Sequence, residues 1–180
     1  MEKKLKMKNG KTVVVRELRP NDDVFELTRY INELIEEKAF ILMDEPITPE
    51  AEADWLRGKM KEVEGGGTID WRVFLDGKLV GGFEARRMKM KRRDSVEFGI
   101  ALLKEVRGQG LGRQLLTFAI AESKKRWHPH RLYITALGKN ERAIGLYKSL
   151  GFKEVARVPD INNHFGEYMD EVWLMMEGVK

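Results

Sequence analysis

Between Val96 and Leu137 the chain runs through an apolar segment, a glycine-rich turn, an amphipathic helical pattern and a second apolar segment. This succession constrains the fold more than any other feature. Ser95 to Leu103 reads as a strand, and the turn that follows is Arg107-Gly108-Gln109-Gly110-Leu111-Gly112-Arg113. From Gly110 to about Trp127, Leu111, Leu115, Phe118, Ala119 and Ile120 recur near one helical face, and Pro129 stops the pattern. Arg131 to Leu137 reads as a strand again. A strand–helix–strand order of this length implies a right-handed parallel crossover. Ligands in such sheets favour the carboxyl ends of the parallel strands, where the glycine run falls. Glycines there let backbone N–H groups approach a ligand closely. With the positive end of the helix, those groups suit a pyrophosphate.

The rest of the chain places this crossover in a mixed sheet. Lys11 to Leu18 is a valine-rich strand, and Pro20 with Asn21 and Asp22 stops it and can cap a helix running to about Lys38. Thr48-Pro49 starts a second helix, buried along Trp55, Leu56, Met60 and Val63, which Gly65-Gly66-Gly67 ends. Ile69 to Leu75 and Lys78 to Arg86, joined by Asp76-Gly77, form a hairpin. With Ser95 to Leu103 they make an antiparallel meander. Asn140 to Leu150 is a short helix closed by Gly151, and Phe152 to Val158 and Glu167 to Met176 are the last strands. The expected class is α/β of the α+β type, in one domain over residues 1–180.

Composition narrows the setting. No apolar run approaches the ~18 residues of a membrane helix, and the basic start leads into no secretory apolar region. There are no cysteines, which removes disulfides and thiolate metal sites and fits a cytoplasmic protein. Charged residues make up 34%, above an average of about 25%, a lean towards a thermophilic source. The net charge of +4 suits an anionic ligand without implying nucleic acid. Three histidines without ligand spacing give no metal site and no Ser-His-Asp triad.

The glycine spacing is Gly-x-Gly-x-Gly, which is neither the dinucleotide fingerprint nor a P-loop. A second motif follows the next strand: Asn140-Glu141-Arg142-Ala143-Ile144-Gly145-Leu146-Tyr147, then Leu150-Gly151-Phe152. In this order the two motifs resemble the GNAT superfamily of acyl-CoA-dependent N-acyltransferases. That family carries Arg/Gln-x-x-Gly-x-Gly/Ala, matched by Arg107, Gly110 and Gly112. It also carries Asn-x-x-Ala-x-x-Leu-Tyr-x-x-x-Gly-Phe, filled by Asn140, Ala143, Leu146, Tyr147, Gly151 and Phe152. Gly166-x-Tyr168-x-Asp170 with Met175 looks like the amine-acetylating branch, and Lys104 stands where members often have proline.

The resemblance implies a sheet with one splayed parallel strand pair that admits acetyl-CoA. By carry-over, the backbone of Leu102, Leu103 and Lys104 would bond the pantetheine arm. The amides from Arg107 through Gly108, Gln109, Gly110, Leu111 and Gly112 to Arg113 would wrap the pyrophosphate. Arg113, with Lys139 or Arg142 as further candidates, would reach the 3′-phosphate, and Asn140 would bond the pantetheine region. Tyr147 takes the general-acid position, a phenol donating to a departing thiolate whose parent thiol has a pKa of ~8.5. For the base, Glu97 leads, Glu84 is the runner-up, and a water chain is the alternative. The implied acceptor is a primary amine, either a small cation such as a polyamine or a protein amine. Glu33, Glu36, Glu37, Asp44 and Glu45 form a candidate acidic rim for it, or a solvated helix face. The basic runs Arg86–Arg93 and Lys124–Arg131 lack interleaved aromatics and read as solvated surface or dimer contact before nucleic acid. A non-catalytic acyl-CoA-binding or regulatory module on the same fold is the competing reading.

Overall fold

Asp76 and Gly77, both at positive φ (51° and 87°), turn strand β3 (Thr68–Leu75) into β4 (Lys78–Arg87), as the Asp-Gly signal requires. The computed structural model describes residues 2–179. Its other elements are β1 (Glu2–Lys6), β2 (Thr12–Glu17), α1 (Val24–Glu36), α2 (Pro49–Glu64), β5 (Ser95–Leu102), α3 (Leu111–Trp127), β6 (Arg131–Leu137), α4 (Glu141–Ser149), β7 (Lys153–His164) and β8 (Glu167–Glu177). They form one sheet in the order β1-β2-β3-β4-β5-β6-β8-β7. Every neighbouring pair is antiparallel except β5 with β6, the crossover expected from sequence.

Alternation along the central strands puts helices on both faces. Trp71 of β3 and Phe83 of β4 are cross-strand partners and pack against Phe118 of α3, with ring centroids 4.9 and 6.1 Å away. The intervening residues face α1 and α2: Lys59 of α2 bonds Glu84, and Tyr30 of α1 donates to Ala101 O at 2.9 Å. α1 earns its place by helical spacing, burying Leu27, Tyr30, Leu34 and Ile35, each side chain contributing about 1.5–3 kcal/mol relative to exposure.

Two local expectations need correcting, and one strand was not expected. Residues 2–6 form the edge strand β1, where Lys3, Lys4 and Lys6 discourage further pairing. Asp23, not Asn21 or Asp22, caps α1 by accepting from Phe25 N–H, because Asp22 is bound by the Arg16 guanidinium at 2.6 and 3.1 Å. β7 runs on to His164, past Pro159, because a bulge between Val158 and Asn162 absorbs the turn-like residues. No helix among the described residues is long and apolar enough to cross a membrane.

Candidate active site

The parallel pair holds for only four rungs, Ser95–Phe98 with Arg131–Ile134. Beyond them β5 stays on β4 as far as Leu102 with Gly81, and β6 stays on β8 as far as Leu137 with Glu171. The strands therefore part after Phe98 and Ile134. Met88 N–H bonds Ser95 O at 2.9 Å, and Leu103 N–H bonds Val80 O at 2.9 Å. These bonds identify the odd residues of β5 as those hydrogen-bonded to β4, so Ile100 and Leu102 turn their backbone groups into the gap. The Leu102 carbonyl is met by the Arg107 side chain, and the other groups of this edge need a partner. A cavity of about 580 Å3 runs along this edge, lined by Ile100, Ala101, Leu102, Asn140, Ala143 and Tyr147 and extending to Gly108, Gly110 and Gly112.

The glycine loop meets its requirements in specific ways. Gly108 and Gly110 sit at φ 82° and 80°, which a side chain resists. Gly110 is the N-cap of α3 and offers no side-chain acceptor, so the first amides of the helix are open to a ligand. A Cβ on Gly112 would lie 3.2 Å from Leu146 Cδ2, so glycine there lets α3 approach α4. Lys8, Lys38, Arg107, Arg113 and Arg142 bring positive charge to the same cavity. Arg107 is a brace as well: its Nε donates to Leu102 O at 2.7 Å and its Nη2 to Glu37 at 2.6 Å. Arg113 donates to Ser149 Oγ at 2.6 Å. Arg142 lies over Gly108 and forms no ion pair among the described residues, whereas Lys139 pairs with Glu167 away from the cavity.

Four expected binding positions are not among the lining residues. Leu103 and Leu111 are buried in the core, and the Leu103 N–H is taken by Val80. Lys104 N–H donates to Glu37 Oε1 at 2.9 Å, and Gln109 O accepts from Lys8 N–H at 3.1 Å. Asn140 caps α4 by accepting from Ala143 N–H at 3.2 Å. Tyr147 is 5% exposed and stands where this cavity meets the next, and burial pushes its hydroxyl up to about 12.

The second cavity, about 460 Å3, opens on the α1–α2 face of the sheet. Three cross-strand rows form its floor: Arg86–Glu97, Asp70–Glu84–Gly99 and Arg72–Gly82–Ala101. Glu97, the leading base, accepts from Arg86 at 2.5 Å, and Glu84 accepts from Lys59 at 2.6 Å. Both carboxylates line the cavity. Asp70 and Arg72 complete the floor and were not anticipated. Burial pushes the Asp70 carboxyl up to about 6 against the pull of Arg72. Phe40, Ile41, Leu42, Met43 and Trp55 make an apolar wall. The loop bearing the first four is tied back by Asn32, which bonds Ile47 N–H and O at 2.9 and 3.0 Å.

The expected acidic residues do not border the second cavity. Glu33 is bound by Arg29 and Lys78, and Glu37 by Arg107. None of Glu33, Glu36, Glu37, Asp44 and Glu45 lines the second cavity. The two basic runs meet at the other end of the parallel strands, where His130 and Arg131 N–H both bond Asp94 O.

The chain is similar to known proteins. The chain is 28% identical over 85 residues to the L-amino acid N-acyltransferase MnaT of Escherichia coli, a match covering 47% of this chain and 49% of that protein. Here the chain spans about half the length of the curated relatives it matches. It is 24% identical over 162 residues to the L-methionine sulfoximine/L-methionine sulfone acetyltransferase of Salmonella typhimurium, covering 86% of this chain and 89% of that one. Among solved structures, Salmonella typhimurium yncA with its cofactor acetyl-CoA superposes with a TM-score of 0.76 at 22% identity, covering 92% and 93% of the two chains. The family model described as "Acetyltransferase (GNAT) family" matches residues 29–152, from α1 to the end of the Asn140–Phe152 motif, and the chain belongs to that family.

Proposed function

We propose that residues 1–180 form one N-acetyltransferase domain that moves an acetyl group from acetyl-CoA to a primary amine by direct attack. The observation that carries this reading is the four-rung β5–β6 ladder. It leaves an unpaired strand edge leading from a glycine loop to a second cavity floored by carboxylates. The donor side fits coenzyme A: open amides at the start of α3, glycines at positive φ, and cations among which Arg142 forms no ion pair among the described residues. The edge of Ile100 and Leu102 suits the amide-rich pantetheine arm. The thioester supplies the activated acetyl group.

In this reading the amine lies over Gly99 and loses its proton to Glu97 or, through water, to Glu84. The nitrogen attacks the carbonyl carbon, and the N–H of Ile100 faces the developing oxyanion. The carbon–sulfur bond breaks as the carbon–nitrogen bond forms, and Tyr147 donates to the departing thiolate. The test is release of free thiol from acetyl-CoA over a panel of amino acids, polyamines and peptides. Stimulation by at least one amine, with the acetylated product seen by mass spectrometry, is expected. Thiol release no faster than without amine across the panel overturns the reading.

A further inference from the structure

We propose that Arg72 reads a carboxylate on the acceptor, so that the acceptor is a small zwitterion, an α-amino acid with an apolar side chain, rather than a polyamine; this rests on the acetyltransferase reading above.

The argument starts from an underused guanidinium. The Arg72 side chain is 10% exposed and lines the second cavity. Among the described residues only its Nη2 has a polar partner, Asp70, at 2.9 and 3.0 Å from the two carboxylate oxygens. The closer contact, to Oδ1, lacks hydrogen-bond geometry, and both Asp70 Oδ1 and Arg72 Nε are buried with no hydrogen-bond partner. Buried donors of a guanidinium are costly to leave unmet. The arginine is nevertheless given room. A Cβ on Gly82 would come within 2.7 Å of Arg72 Nη1, so glycine at that position makes the space the guanidinium occupies. Trp55 stacks over it, with Cζ 5.1 Å from the ring centroid.

The position of Nη1 sets the scale of the ligand. It lies above β4, and Ala101 on β5 is the next residue in the same cross-strand row, one spacing of ~4.8 Å away. An α-amino acid spans that interval, with its carboxylate on Arg72 and its amine at the β5 edge. The charges of the floor agree. Each of the three lining carboxylates is already held by a cation, Asp70 by Arg72, Glu84 by Lys59 and Glu97 by Arg86. Carboxylates met in this way leave little free negative charge to hold a polycation, whereas Nη1 of Arg72 still offers a donor to a carboxylate. Phe40, Met43 and Trp55 supply an apolar wall for the side chain.

The experiment compares L-methionine with its decarboxylated counterpart 3-(methylthio)propylamine, and with spermidine, as acceptors and as ligands. We expect kcat/KM for methionine to exceed that for the amine about 10- to 100-fold, carried mainly by KM. In the double variant Asp70→Asn/Arg72→Gln, which leaves no lone buried carboxylate, the ratio falls towards one. In parallel, with coenzyme A present, methionine and not the amine raises the Tm of the wild-type protein. That shift, seen without turnover of any amine, keeps the carboxylate site and discards the acetyltransferase reading. Equal or better use of the amine or spermidine by the wild type overturns the proposal. So does a methionine preference that survives in the folded double variant.

Discussion

Replacing Tyr147 by phenylalanine removes one oxygen from a site where its effect can be worked out. The hydroxyl makes no hydrogen bond among the described residues, and burial lifts it to about 12. A coenzyme-type thiol has a pKa of ~8.5. Complete proton transfer from Tyr147 to the thiolate is therefore uphill by about 3.5 pKa units, or about 5 kcal/mol at ~1.36 kcal/mol each. The phenol is suited to hold the thiolate by a charge-assisted hydrogen bond, worth about 1.5–3 kcal/mol. Tyr147→Phe is then expected to lower the single-turnover rate of acetyl transfer about 10- to 150-fold. The ring remains, with its edge contact to Phe152 at 6.4 Å, so stability changes by less than about 1 kcal/mol and acetyl-CoA affinity stays the same. Rapid-quench measurement of acetylated product, beside calorimetric coenzyme binding, reads both quantities. A rate within threefold of wild type removes Tyr147 from the chemistry. A loss beyond about 10⁴-fold refutes the hydrogen-bond argument, because it demands a full general acid.

Other perturbations test other parts. Gly110→Val puts a β-branched residue at φ 80° and a Cβ 3.5 Å from Lys8 Cε, and is expected to weaken coenzyme A binding at least tenfold by calorimetry. Glu37→Gln removes the negative charge and one of the two carboxylate oxygens that serve Arg107 and the Lys104 N–H; for this partly exposed pair a loss of about 1 kcal/mol is expected in urea unfolding, shrinking at high salt. The Arg29 guanidinium and the Leu79 N–H hold the Glu26 carboxyl below its ordinary value. A depressed folded pKa gives stability that is full above the ordinary value and is lost as pH falls through the folded one. Wild-type Tm should therefore drop as the pH falls below the ordinary carboxylate range, and Glu26→Gln should flatten part of that drop.

The donor half of the site was legible in the sequence because it is local. Gly108, Gly110 and Gly112 lie within one turn, and Asn140, Leu146 and Tyr147 within one short helix, so spacing alone brings them together. The acceptor half is assembled across strands. Asp70 and Arg72 on β3, Gly82 and Glu84 on β4, and Glu97 on β5 become neighbours only through the register of two antiparallel ladders. Nothing in the spacing of these residues announces that register. The acidic residues of α1 attracted attention for the opposite reason. Glu33 and Glu37 lie one helical turn apart, but besides Arg29 the cations that neutralise them, Lys78 and Arg107, lie far along the chain. β1 was missed because a lysine-rich edge strand carries little apolar signal, and β7 was cut short because a bulge imitates a turn.

The four-rung seam between β5 and β6 has a mechanical meaning. It divides one sheet into a five-stranded unit, β1 to β5, and a three-stranded unit, β6 to β8, each hydrogen-bonded throughout its own breadth. The arch between them lacks its keystone, and a peptide-like ligand laid along Ile100 and Leu102 supplies it. Binding free energy then becomes cohesion between the two halves, about 2.7 kcal/mol when free ligand stands at 100 times its Kd. On the proposed reading the cosubstrate is a transient strand of the fold, and each turnover that releases it returns the sheet to two units held by four rungs.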